Sequence, residues 1–190
     1  MPLKLNSSGG GSVTLDVPST AGTFTATVPA NTGTLVTTGS TAAVTQGMLA
    51  AGVAGNGPAF SATRTGQSIS TGTFTKIVFT SETFDTAGAF DPATGRFTPL
   101  AAGYYQFDIA FSTDQLSGGI FCEVRRNNTR MGVATLATHV AGLGAVSSGS
   151  FLVFLNGTTD YAEMIGYQSS GSTVSTFSDT IFSGFLARAA

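Results

Sequence analysis

Two pairs of carboxylates are the residues of this chain whose types and spacing come closest to acid–base chemistry. Glu82 and Asp85 form one pair, and Asp160 and Glu163 form the other. Two carboxyl groups that flank a glycosidic bond can act as general acid and as base or nucleophile. Each pair is three residues apart, however, so on a β-strand its two side chains point to opposite faces. We therefore expect solvated loop carboxylates and no enzyme.

The sequence contains no residues that could act as partners of a catalytic nucleophile or complete a metal site. His139 is the single histidine and Cys122 the single cysteine, so neither a zinc site nor an internal disulfide is expected. Cys122 lies in phase with apolar residues on both sides, and no base stands near it in the sequence. It is interpreted as a small buried hydrophobic residue.

The charge of the chain argues against a nucleic-acid partner. The net charge is -2 and the pI about 5.1, whereas nucleic-acid-binding domains carry a basic stripe. Arg125, Arg126 and Arg130 form the one basic cluster, interpreted as a solvated strand end or a set of salt-bridge donors. Charged residues make up only 9% of the chain, so a free monomer would be poorly protected from association. Large surfaces shared between subunits are therefore expected.

The elements that position these residues are predicted to be β-strands. Tyr105, Phe107, Ile109 and Phe111 alternate with mostly polar or small neighbours, which predicts a strand with one buried face. The segment 91–95, Asp-Pro-Ala-Thr-Gly, has the composition of a turn. Aromatic residues at 90 and 97 flank this turn and are expected to pack together across it.

Aromatic residues, an aspartate and a glycine stand at fixed spacings through the middle of the chain. The series is Phe79, Asp85, Phe90, Phe97, Gly103, Tyr105 and Phe107. It resembles the signature of the C1q-like domain, the β jelly roll shared with the tumour-necrosis-factor group. One position departs, because that family usually has another aromatic where Ile109 stands. The ending Phe182–Leu186 is also similar to the closing strand of this group.

The resemblance implies an all-β C1q/TNF-like jelly-roll sandwich that assembles as a homotrimer. In that group the closing strand lies near a threefold axis. The segment Phe151–Leu155 is apolar on both faces and is expected to be buried on both sides. The candidates for the core and the trimer contact are Phe151, Val153, Phe154, Leu155, Phe182, Phe185 and Leu186.

Calcium is the only metal that the resemblance suggests as a ligand. Some C1q-like trimers bind calcium near one end of the bundle, and loop aspartates such as Asp85 or Asp114 are the residues that would serve. The sequence shows no dense loop of oxygen ligands around either one. The prediction is therefore no cofactor, with calcium as the weaker alternative.

The chain is predicted to divide into three parts. Residues 1–40 contain short alternating runs such as Val13-Leu15-Val17, separated by Gly- and Pro-rich breaks, which are too small to bury a core alone. This segment resembles N-terminal segments of tailed-phage fibre and virion proteins, and is interpreted as a virion anchor. Residues 41–58 are a linker with a possible short helix capped by Thr41. Residues 59–190 form the jelly roll.

The predicted function is that of a tailed-phage virion structural protein. Its trimeric knob would be displayed outward, the N-terminal segment would bind other virion proteins, and a host-surface glycan or protein is the possible ligand. The alternatives are a capsid decoration or cement protein without a receptor, and a secreted C1q-like recognition module. The sequence contains no signal-peptide pattern and no stretch long enough for membrane insertion, which favours the virion.

Two polar connections, 113–119 and 168–173, are the candidate recognition loops. Jelly rolls present loops at the ends of a rigid sandwich, and ligand contacts commonly come from such loops. The alternative, that they are solvated turns, stays equally open. The candidate contact residues are Asp114, Gln115, Ser117, Gln168, Ser169 and Ser170.

Overall fold

The computed structural model describes residues 3–6, 8–10, 12–15, 57–139 and 144–190. The chain forms two compact units, 1–39 and 40–190. In the first unit, β1 (Leu3–Asn6) pairs antiparallel with β2 (Ser12–Leu15). The other strands predicted before residue 40, and the helix predicted after Thr41, lie outside the described residues.

Within the described part of the second unit the secondary structure consists of strands and contains no helix. The strands are β3 (Ala59–Arg64), β4 (Ser68–Ile69), β5 (Thr75–Lys76), β6 (Ser81–Asp85), β7 (Phe90–Asp91), β8 (Arg96–Phe97), β9 (Gly103–Thr113), β10 (Gly119–Arg126), β11 (Thr129–Val133), β12 (Ala137–Thr138), β13 (Ala145–Leu155), β14 (Ala162–Gln168), β15 (Val174–Ser175) and β16 (Thr180–Ala189). The described residues thus contain no apolar helix of membrane-spanning length.

Most of these strands form two antiparallel sheets. The five-stranded sheet has the order β13-β9-β16-β3-β6. The seven-stranded sheet has the order β11-β10-β14-β8-β7, with β12 added on β10 and β5 on β14. A small sheet joins β15 to β4. The prediction of an all-β jelly-roll sandwich is confirmed.

The core lies between the two sheets and is rich in aromatic side chains. The alternation predicted for β9 is confirmed, since its odd-numbered residues from Gly103 to Phe111 are buried. The Phe60 ring stacks on Phe90 and Phe97, with centroids 4.9 and 4.4 Å apart. Phe90 and Phe97 are paired directly across the β7–β8 turn, as predicted. The core therefore brings together aromatic residues that are far apart in the sequence.

Backbone geometry explains two glycines. Gly95 has φ +68° and its N–H donates to the Asp91 carbonyl at 2.8 Å, which closes the predicted turn. A Cβ at Gly103 would lie 2.5 Å from the Arg188 carbonyl oxygen. Gly103 therefore lets β9 start close against the end of β16.

One predicted strand differs in the structure. In β13, Val153 and Leu155 are buried, but Leu152 is 59% exposed on the opposite face. The prediction that Phe151–Leu155 is buried on both sides is therefore not met among the described residues, because none of them forms a second layer over that face.

Candidate functional site

The carboxylate pair Asp160 and Glu163 is buried, so the expectation of solvated loop carboxylates was wrong here. Asn127 Nδ2 donates to Asp160 Oδ1 at 2.6 Å, and the Asn156 N–H donates to Oδ2 at 3.0 Å. Glu163 pairs with Arg96 at 3.2 Å. A buried carboxylate needs such partners to offset its lost hydration. Both groups hold neighbouring elements together.

In the second pair, Glu82 is exposed on edge strand β6, and Asp85 closes a turn. The N–H groups of Ala87 and Phe90 donate to the Asp85 carboxylate at 3.1 and 2.7 Å. This gives the Asp of the signature a structural role, since it fixes the chain where Phe90 enters the core.

Asp85 and Asp114 lie toward opposite ends of the sheet. Asp85 is aligned through β3 and β16 with Phe107 in the first half of β9, while Asp114 follows the last residue of β9. The Ser175 N–H donates to Asp114 at 2.7 Å. Across the described residues, no three His, Cys, Asp or Glu side chains come together as metal ligands. The two aspartates do not fit a shared calcium site within one chain.

Cys122 is buried between the sheets, which confirms its interpretation as a hydrophobic residue. Burial raises the pKa of its thiol to about 12. The thiol donates weakly to the Ser147 carbonyl at 3.5 Å. A group with this pKa has almost no thiolate at neutral pH, so it is not a nucleophile.

The basic cluster is organised by a residue that the sequence analysis missed. Glu123 is fully buried and forms ion pairs with both Arg125 and Arg130. The interpretation as salt-bridge donors is confirmed for these two arginines, while Arg126 donates to the Phe154 carbonyl at 3.2 Å. The sequence signal that could have identified Glu123 is its position between Cys122 and Val124, two core-facing residues of the same strand.

The outward face of the five-stranded sheet carries several exposed apolar side chains, and we call it the apolar face. Its exposed members are Phe84, Tyr104, Val146, Leu152, Phe154 and Phe185. Tyr104 and Phe154 contact each other edge to face, with centroids 5.4 Å apart. Polar residues lie between them: Gln106 Nε2 donates to Ser150 Oγ at 2.6 Å, and Ser150 in turn bonds Asp108.

The seven candidates for core and trimer contact divide between the two sides of this sheet. The buried members are Val153, Leu155, Phe182 and Leu186. Phe154 and Phe185 lie on the apolar face. Phe151 is half-buried on the inner side, where its ring occupies the space left by Gly132 and Gly149. Only Phe154 and Phe185 are therefore available for a contact with another chain.

The other signature residues lie in or around the core. Phe79, Phe97, Tyr105 and Phe107 are fully buried. The Phe79 ring contacts Phe182 at 5.7 Å, which ties the signature to the closing strand. The fixed spacings of the signature in the sequence therefore have a structural cause: residues from separate strands must fill the same space between the sheets.

The two candidate recognition loops meet in the structure. Ser117 Oγ donates to the Ser170 carbonyl at 3.1 Å. The Gly119 N–H donates to Ser169 Oγ at 3.0 Å, and the Ser169 N–H returns a bond to the Gly119 carbonyl at 3.0 Å. These contacts place the loops side by side at one end of the sandwich.

Gln115 and Gln168 were wrong as candidate contact residues, because both are buried. Gln115 Nε2 donates to the Gly118 carbonyl at 3.1 Å. Gln168 Nε2 donates to the carbonyls of Ile69 and Ser172 at 3.0 and 2.8 Å. Both amides satisfy backbone groups of the loops, so they hold the loops in place and are not displayed.

The chain belongs to the C1q domain family, whose model matches residues 59–187. The resemblance of the sequence to the C1q-like domain is thereby confirmed, despite the isoleucine at position 109. Domains of this family are typically binding or structural modules and not enzymes. No curated protein matches the sequence significantly.

Several solved structures are similar to this chain. The PRD1 vertex protein P5 is 16% identical with a TM-score of 0.52, covering 70% of this chain and 97% of that one. The globular domain of zebrafish complement 1qA protein is 20% identical with a TM-score of 0.48, covering 70% and 99%. Murine APRIL is 11% identical with a TM-score of 0.48, covering 67% and 96%. The likeness to the PRD1 protein shows a common fold.

Proposed function

We propose that this chain is a structural protein of a tailed-phage virion. Its C1q domain forms a homotrimeric knob displayed outward, and its N-terminal segment binds other virion proteins. The observation that carries the proposal is the apolar face of the five-stranded sheet. The fold shared with a protein named as a vertex protein of PRD1 supports a place in a virion.

The apolar face supports assembly because an exposed antiparallel sheet normally presents polar side chains to water. Here Leu152 and Phe154 on β13 and Phe185 on β16 stand out on one side, from the two strands that flank β9. Contiguous exposed apolar patches mark interaction sites. A second and third copy of the domain would cover this face, and would complete the burial that the described residues do not give to the Phe151–Leu155 segment.

The N-terminal unit supports an anchor because its described strands are short. Each of β1 and β2 has four residues, and a two-stranded hairpin of this size is marginal in water by itself. A surface of another virion protein would supply the missing layer.

Sedimentation of the purified full chain tests the trimer. We expect a single species of three chains at micromolar concentration. A stable monomer under these conditions contradicts the trimeric knob.

A phage whose copy of the chain lacks residues 1–40 tests the anchor. We expect particles without the knob, and incorporation at normal copy number would rule the anchor out.

Host attachment through the knob is the finer part of the proposal, and a decoration or cement protein is its alternative. Threefold repetition would turn weak loop contacts into useful avidity. The exposed candidates are Asp114, Ser117 and Ser169. Replacing them together with alanine is expected to reduce adsorption of the phage to host cells. Unchanged adsorption favours the decoration protein, and labelling the C-terminus in images of particles locates the knob.

A further inference from the structure

Three aromatic rings form a cluster on the outward face of the seven-stranded sheet, which we call the aromatic platform. It consists of Phe74, Phe121 and Tyr167. Phe121 and Tyr167 are opposite each other on β10 and β14 and stack at 5.0 Å. Phe74, just before β5, lies 5.0 Å from Tyr167 and 5.7 Å from Phe121. Phe74 remains 46% exposed, so the platform presents an apolar ring to solvent.

Two guanidinium groups lie over one ring of the platform. The Arg125 and Arg130 guanidinium carbons lie 5.6 and 5.8 Å from the Phe74 ring centre. Both arginines are held by the buried carboxylate of Glu123. This arrangement fixes the guanidinium groups before any ligand binds, which lowers the entropic cost of binding.

The arginines keep capacity for a further anion. The Arg130 side chain is 51% exposed, and within the described part of the chain only its Nε is bonded, to Glu123. Lys76 is aligned with Ile165 and Glu123 across the same face. Lys76, Arg125 and Arg130 outnumber Glu123 among these side chains, although the whole chain carries a charge of -2. Glu163, opposite Arg125, is paired with Arg96. The surface is therefore complementary to an acidic ligand.

We propose that this face binds an acidic saccharide. The apolar C–H face of a pyranose ring packs on an exposed aromatic ring, which supplies a flat hydrophobic contact. A carboxylate on the sugar would accept charge-assisted hydrogen bonds from the terminal nitrogens of Arg130. Poly-glutamate matches the charge but has no ring that could pack on Phe74. The combination of a half-exposed Phe74 with prepositioned guanidinium groups therefore favours the saccharide over this polymer.

The site goes beyond the proposed virion function and does not depend on it. All its residues come from one chain and lie on the seven-stranded sheet, whereas the apolar face lies on the other sheet. Assembly through the apolar face would leave three copies of the platform accessible. Binding to purified protein therefore tests the site, whatever the outcome for the trimer or the virion anchor.

The experiment measures binding of purified full-length protein to three anionic polysaccharides by calorimetry: polygalacturonate, alginate and hyaluronate. Neutral dextran and poly-glutamate are the comparison ligands. We expect saturable binding to at least one of the three, none to dextran, and weaker binding as salt rises, because exposed charges are screened.

Two variants and two matched controls locate the site. Phe74→Ala removes the exposed ring and is expected to weaken binding about fivefold to tenfold. Arg130→Gln removes one guanidinium group while Arg125 still neutralises Glu123, and is expected to weaken binding about tenfold. Phe177→Ala removes a ring that is 41% exposed elsewhere, and Arg64→Gln removes the same charge from the other sheet. Both controls should bind like the parent.

Three outcomes overturn the proposal: no saturable binding to any of the three anionic polysaccharides, equal binding to poly-glutamate, or equal losses in the control variants. Thermal unfolding of each variant is recorded alongside. If Arg130→Gln unfolds at a lower temperature than the parent, the binding result for Phe74→Ala is decisive, because the Phe74 ring is half-exposed and lies outside the core.

Discussion

At the residue scale, charged and polar groups of this domain act mostly by satisfying buried neighbours. Glu123 is the clearest case, since its carboxylate is fully buried and both its oxygens are taken by arginines. Asp160 is similar, with two nitrogen donors at 2.6 and 3.0 Å. Such groups stabilise a fold only while their partners are present.

We predict that Glu123→Ala lowers the free energy of unfolding by about 2 kcal/mol. Breaking a buried ion pair typically costs about 3–5 kcal/mol, and the exposure of Arg130 lets water recover part of this. Urea unfolding measures the difference. Glu82→Ala, which removes an exposed carboxylate, is the control and should change stability by less than about 0.5 kcal/mol. Equal stability of the two variants would contradict this account.

The second prediction at this scale concerns the Cys122 thiol. Because burial raises its pKa to about 12, the thiol stays protonated and shielded at pH 8. We expect no reaction with a thiol-specific disulfide reagent in the native protein and one full equivalent after unfolding in guanidinium chloride. Rapid labelling of the folded protein would show that this part of the core opens readily.

At the element scale, the closing strand β16 depends on how closely it meets β9. The register between the two strands shifts between Leu186 and Arg188, opposite the start of β9. Gly103 lies at this point, and its missing side chain makes room for the backbone of β16. The family signature thus contains a glycine for a packing reason.

We predict that Gly103→Ala destabilises the domain by about 2 kcal/mol, because its Cβ would lie 2.5 Å from the Arg188 carbonyl oxygen and backbone must move. Thermal unfolding gives the measurement. Gly119→Ala is the matched control, since the nearest atom there, at 3.1 Å, is the end of the exposed Leu136 side chain. If both variants melt at the parental temperature, the close approach of β9 and β16 does not require a glycine at position 103.

At the scale of the whole molecule, the two sheets present different surfaces. The five-stranded sheet has the apolar face, and the seven-stranded sheet has the aromatic platform with its arginines. A domain with so few charges needs one of these surfaces covered to avoid non-specific association. The apolar face has the larger set of exposed apolar side chains among the described residues.

The trimer proposal therefore predicts that Leu152→Asp dissociates the assembly without unfolding the domain. An aspartate at the proposed interface would be buried without a partner, which opposes association. Sedimentation should show monomers, with a circular dichroism spectrum unchanged from that of the parent. Leu136→Asp, at a leucine that is 66% exposed, is the control and should remain a trimer. A trimer in both variants would place the interface elsewhere.

Much of the fold could be predicted from the sequence, because its signals are local. The period-two pattern of β9 requires only neighbouring residues, and the turn at 91–95 depends on the backbone preferences of Pro92 and Gly95. The spaced aromatics are a longer pattern, and the match of residues 59–187 to the C1q domain confirms what they indicated.

The tertiary structure alone decided which residues are displayed. Gln115 and Gln168 are in polar loops by sequence, but they are buried because the two loops and the Ile69 region meet. The guanidinium partners of Glu123 come from its own strand and from β11, a pairing that depends on strand register. Phe74 has the residue type of a core aromatic, yet it is half-exposed on the outward face of the seven-stranded sheet. Burial is set by contacts between segments distant in sequence, which local patterns do not encode.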